Sequence, residues 1–186
     1  SVAVHADGSV TFSVLVDQNI PISGSVTVTT DGKTHVMETA GGELPLTYSV
    51  TVSKDSLASD TTYSYSFSAK SQSGTEIRFY DPGMLFYTGV LVASVVRDGD
   101  ARAAKPAPVV FKVSRADTAG DLEFNYTLGG TAQPGINYVG PTVLSGIIPD
   151  GESCVEVLVD LIQYVGAETL LSFAVGEGRY IVNAAD

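Results

Sequence analysis

Alternation of apolar and polar residues recurs along this chain with a period of two, and only a half-buried β-strand puts every second side chain on one face. In VTFSVLV, Val10, Phe12, Val14 and Val16 share a face. In YSVTV it is Tyr48, Val50 and Val52, and in YSYSFSA it is Tyr63, Tyr65, Phe67 and Ala69, with serine opposite. VVFKVSR groups Val109, Phe111 and Val113, and LEFNYTL groups Leu122, Phe124, Tyr126 and Leu128. Turn-forming pairs stand between such runs: Asp7-Gly8, Asp31-Gly32, Gly41-Gly42, Ser73-Gly74, Gly129-Gly130 and Asp150-Gly151. No long stretch repeats apolar residues at helical spacing without glycine, proline or β-branched interruptions. The expected fold is therefore all-β, built from antiparallel β-sandwiches.

The 186 residues suffice for two such sandwiches of about 100 residues each. The division falls near YDPGMLFYTG, where Asp81-Pro82-Gly83 reads as a turn and Met84, Leu85, Phe86 and Tyr87 are too apolar for a solvated linker. The expectation is two tandem sandwich domains, residues 1–83 and 90–186, joined by a short packed linker, 84–89.

Charge and hydropathy narrow the function. A hydrophobic content of 44% with 17% charged residues is that of a chain that buries a core. The net charge of −11 argues against nucleic acid, whose phosphates require clustered lysine and arginine. The acidity is spread evenly: nine acids against four bases up to residue 88, and twelve against six after it. Such acidity serves solubility or cation binding. The longest apolar run, MLFYTGVLVASVV, has 13 residues, short of the about 20 that a membrane helix needs, so no membrane insertion is expected. No signal peptide is visible at the start.

Catalytic chemistry is sparsely represented. His5 and His35 lie outside HExxH or HxH spacing, and no GxSxG, phosphate-binding loop or GxGxxG occurs. The Gly129-Gly130 pair reads as a turn rather than a phosphate cradle. Cys154 is the one cysteine, so no intrachain disulfide can form; alternation puts it on the face of Glu156 and Asp160. Asn125-Tyr126-Thr127 fits the N-glycosylation triplet, with Asn125 facing outward. Sugar recognition would need exposed aromatic platforms, for which Tyr80, Tyr87, Tyr164 and Tyr180 are the surface candidates, but no further feature supports a carbohydrate ligand. The chain is expected not to be an enzyme.

Two stretches resemble known families. SLASDTTYSYSFSAKSQSG, residues 56–74, resembles the late strands of fibronectin type III-like and immunoglobulin-like domains, in which Tyr63 would form a tyrosine corner bonded to backbone in the preceding loop. This likeness also extends to the sandwich that precedes the catalytic domain in some secreted phosphodiesterases and phosphatases. The second half resembles the Calx-beta domain. The matching residues are Ser114-Arg115, Asn125-Tyr126-Thr127, Gly130-Thr131-Ala132, then Gly135, Asn137 and Tyr138, then Pro149-Asp150-Gly151-Glu152, Asp160 and Glu168-Thr169.

Some Calx-beta domains bind calcium at one end of the sandwich, and the resemblance implies candidate ligands here. They are Asp98 and Asp100 in RDGD, Asn137 where the family has aspartate, Asp160, and Glu168. Asp160 is followed by Leu161, Ile162 and Gln163 rather than by an acidic run. The alternative for Asn137-Tyr138 is structural, a sandwich corner closed by these two residues. The function implied is a non-catalytic module at the outside of a cell or virion, acting as an adhesion, spacer or scaffold segment through a protein partner. Two alternatives stay open: a self-assembling subunit of a fibre, sheath or virion surface, and an accessory region of a secreted hydrolase.

Overall fold

The structure, a computed structural model, describes residues 1–16, 21–39, 41, 45–79, 84–140, 143–164 and 166–182. The expected Asp81-Pro82-Gly83 turn, Tyr80 and Gly42 lie outside these residues. The chain is all-β, and its described residues divide into two compact units, one within 1–89 with 179–181 and one within 90–178 with 182. Among the described residues no helix is long and apolar enough to cross a membrane.

In the first unit the strands are β1 (Val2–Val4), β2 (Val10–Val16), β3 (Ile22–Thr30), β4 (Lys33–Thr39), β5 (Leu46–Val52), β6 (Thr62–Ser71), β7 (Glu76–Ile77) and β8 (Leu85–Tyr87). They follow the order β1-β2-β5-β4-β3-β6-β7, with β8 also paired to β6. In a flat sheet β2 and β6 would lie four spacings apart, about 19 Å. Yet the rings of Phe12 on β2 and Tyr65 on β6 are 5.4 Å apart. The sheet therefore folds over on itself, and the crease is where β4 and β5, among the described residues, pair through Glu38–Ser49 and Thr39–Tyr48. Between the halves lies one core of Val10, Phe12, Val26, Val28, Met37, Val52, Tyr65, Ala69 and Phe86.

Local chemistry fixes the corners of this unit. Asp31 and Gly32 both take positive φ, 50° and 69°, and close the β3–β4 hairpin in the way that Asp-Gly pairs favour. The Tyr63 hydroxyl accepts a hydrogen bond from Ala58 N at 2.8 Å, the backbone contact expected of it. The buried Thr88 hydroxyl lies within 2.7 Å of Ala58 O and 3.0 Å of Thr61 O and accepts from Thr61 N at 3.1 Å. Residues 84–89 include a strand of this unit: Phe86 and Tyr87 are fully buried, and Tyr87 N donates to Arg179 O at 2.7 Å. Tyr87 and Tyr180, expected as surface aromatics, are 0% and 1% exposed. Both carry more apolar ring than polar hydroxyl, and the core takes the ring.

The second unit has two sheets. One has the order β13-β10-β9-β15 and the other β12-β11-β14, where β9 is Val90–Arg97, β10 Val109–Ser114, β11 Leu122–Gly130, β12 Val143–Ile148, β13 Cys154–Val159, β14 Leu171–Val175 and β15 Ile181–Val182, of which Val182 belongs to this unit. They stack face to face: Phe173 on β14 lies 4.7 Å, centroid to centroid, from both Phe111 on β10 and Tyr126 on β11. The alternation read from the sequence is visible in β11, where Leu122, Phe124, Tyr126 and Leu128 are buried and the residues between them exposed.

Gly129 and Gly130, expected as a turn, instead end strand β11, paired with Ser172 and Leu171. Gly130 is needed because its φ is 90° and a Cβ there would sit 2.3 Å from Leu170 O. At the other end of this unit the buried Arg115 donates four hydrogen bonds to backbone carbonyls of Glu152, Ala119, Gly120 and Pro149, at 2.6–3.3 Å. The planar fork of a guanidinium can reach four acceptors at once, which ties the two loops together.

Candidate functional site

The candidate site is a cleft of about 530 Å³ in the second unit. One wall is the segment after β9. There Asp100 pairs with Ala107 through reciprocal backbone hydrogen bonds, and its Oδ1 accepts from Arg102 N at 2.9 Å. Gly99 permits this path, because a Cβ would lie 2.4 Å from a Leu161 methyl and 2.8 Å from a Val109 methyl.

A second wall comes from the loop before Tyr138. Asn137 is buried; its Oδ1 accepts from Gln133 N at 2.8 Å, and its own N–H donates to Gln133 O at 2.9 Å. Gly135 N donates to Tyr138 O at 2.8 Å. The loop is thus closed by its own backbone and one carboxamide. Segment 160–164 ties the walls together: Val139 N donates to Asp160 O, Ile162 N to Asn137 O and Tyr164 N to Ala101 O, each at 2.9 Å. Glu168 stands on the third side, before β14.

The structure therefore brings Asp98, Asp100, Asn137 and Glu168 to the lining of one cleft, together with Arg102, whereas Asp160 does not line it. The carboxylates do not converge. Among the described residues no three histidine, cysteine, aspartate or glutamate side chains are grouped to hold a metal ion. Calcium requires six to eight oxygens, and the oxygens of Asn137 and Asp100 that are held by backbone N–H groups are already turned inward to their own loops. As arranged, the five residues do not fit a calcium site. Asn137 and Tyr138 form instead a closed corner.

Sequence reasoning assigns no site role to Val95, Phe111, Leu170 and Leu171, which supply apolar lining; Tyr164, one of the four surface aromatics it offers, adds a phenol. The β9–β10 register makes Val95 directly opposite Phe111 and Ala93 opposite Val113, so both point between the sheets. Yet Val95 is 57% exposed. A bulge at Val110/Phe111 shifts the pairing, and no count of alternating residues reveals it. No histidine or cysteine lines the cleft among the described residues. His5 is exposed in the first unit, where its Nε2 lies 2.8 Å from Thr11 Oγ1, and Cys154 is half-buried on edge strand β13.

Comparison with known proteins finds no family model that matches the chain and no curated protein that is similar to it.

Proposed function

We propose that this chain is a non-catalytic β-sandwich module of an extracellular, cell or virion surface, acting as an adhesion, spacer or scaffold segment by contact with other proteins. The observation that supports it best is the character of the cleft. Among the described residues its carboxylates are separate, its apolar lining is open to solvent, and no nucleophile–base or base–orienter pair of the kind that chemistry needs lines it. The resemblance of the two halves to fibronectin type III-like and Calx-beta sandwiches points the same way.

A second reading, a self-assembling subunit of a fibre, sheath or virion surface, is favoured by strand β9. Val92, Val95 and Val96 are each more than half exposed along it, and exposed apolar patches mark contact surfaces between proteins. Size-exclusion chromatography with light scattering, at high protein concentration in calcium and then in EDTA, separates the two. The leading reading expects a monomer in both buffers. A large assembly would overturn it in favour of the structural subunit, and an assembly lost in EDTA would return calcium to the carboxylates of the cleft.

A further inference from the structure

We propose that the cleft of the second unit is a receiving slot for an extended, positively charged segment of another protein, which adds as a strand to β14 and sets its apolar side chains between the two sheets. Three observations on different scales converge there.

The first is an unmatched sheet edge. Among the described residues β14 is paired on one side only, to β11, at the end of the order β12-β11-β14. Its other edge offers backbone donors and acceptors to an added strand. The length of β14, five residues, corresponds to about 17 Å of extended chain.

The second is an interior left uncovered at the first residue of that strand, Leu171. Val95 and Ala93 face the space between the sheets but are exposed, and Leu170, just before β14, is 65% exposed while lining the cleft. Side chains that point into a sandwich normally have a partner across it. Here Phe111, Leu171 and Val95 border a space of about 530 Å³, within the range of roughly 300–1,000 Å³ typical of ligand sites. Valine or leucine side chains from alternate positions of an added strand match both the period and the chemistry of that space.

The third selects the occupant. Asp98, Asp100 and Glu168 border the cleft against one cation, Arg102. A second copy of a chain carrying −11 would bring more negative charge to this rim, whereas lysine or arginine on the outward positions of the incoming strand would meet it favourably. A calcium cage is not the explanation for these acids, since they do not converge.

A passive spacer needs no such slot, so the inference goes beyond the function proposed above, and its failure would leave that function standing. The test is a titration of the 15N-labelled full chain with two capped seven-residue peptides. One alternates valine with lysine or threonine; the other has glutamate in place of each lysine. The expected result is saturable amide shifts along Leu171–Val175 and at Val95, with the lysine peptide binding at least tenfold more tightly and losing affinity as salt rises. Val95→Lys, at an exposed position and with an otherwise unchanged spectrum, should weaken that binding at least tenfold. Equal affinity of the two peptides, shifts confined to another strand, no shift at millimolar peptide, or unchanged binding by Val95→Lys would each overturn the proposal. Concentration-dependent shifts of Leu171–Val175 without peptide would overturn it too, by giving the slot to a second copy.

Discussion

Tyr138 is fully buried, and among the described residues its hydroxyl has no hydrogen-bond partner. An unpaired buried hydroxyl costs about 1–3 kcal/mol, so Tyr138→Phe should stabilise the second unit, by up to about 1 kcal/mol after the loss of packing is counted. A urea titration reads this directly; a destabilised variant would mean that the hydroxyl has a bound partner. Arg115 presents the opposite case, a buried cation whose four hydrogen bonds reach two separate loops. Arg115→Lys keeps the charge but cannot span those carbonyls. It should cost at least about 2 kcal/mol in the same titration, since hydrogen bonds to charged groups are worth about 1.5–3 kcal/mol each. A neutral result would show that the loops hold without the fork.

Tyr126 supplies a pH dependence. Burial raises its phenol above the ordinary value of 10.0, because the interior disfavours the phenolate. The folded state keeps its proton where the unfolded chain has lost it. The resulting stability is intact below the ordinary tyrosine range and falls as pH rises through the raised value. Chemical denaturation from neutral to strongly alkaline pH should show this decline, and Tyr126→Phe should flatten it. An unchanged slope in the variant would assign the alkaline loss to other groups.

Among the elements, the strands legible in the sequence are those with one wet face. β2, β5, β6 and β11 carry the clearest alternation, since each has one side against a core and one against solvent. Residues 84–89 gave no alternation because Phe86, Tyr87, Thr88 and Gly89 are all buried, and a run buried on both sides has no period. The glycines divide in the same manner. Gly135 and Gly130 both need positive φ, but a Cβ on Gly135 meets nothing, whereas one on Gly130 meets Leu170 O at 2.3 Å. Gly135→Ala should therefore cost about 1–2 kcal/mol, the left-handed penalty alone. Gly130→Ala should cost distinctly more, because strand β14 must move away from β11. Thermal melts of the two variants test this; equal losses would mean that the β11–β14 contact yields easily.

At the scale of the whole molecule, the five residues that the Calx-beta likeness offered as calcium ligands end in different settings. Asn137 closes its own loop, Asp160 lies outside the cleft, and Asp98, Asp100 and Glu168 border it without grouping. A ligand that binds the native state alone stabilises it by RT ln(1 + [L]/Kd). Without an assembled cage, the melting temperature in millimolar calcium should match that in EDTA within about 1 °C, on the scale where 1 kcal/mol shifts it by about 2–4 °C. A larger rise in calcium would show that the loops rearrange around the ion. Calorimetry in the two buffers makes the comparison.

The sequence by itself determined the β character of this chain, the faces of its clearest strands, the Asp31-Gly32 hairpin and a bond between the Tyr63 hydroxyl and backbone of the loop before it. Each depends on residues close along the chain, where a period of two or a pair of positive φ angles acts over a few residues. The tertiary structure alone decided that the first sheet folds back to bring Phe12 onto Tyr65, that Tyr87 and Tyr180 go inside, and that Val95 is turned inward yet left uncovered beside Leu170. Those outcomes depend on strand order, on one bulge and on which edges find partners. Such pairings join residues far apart in sequence, and a local hydrophobic pattern is compatible with many of them.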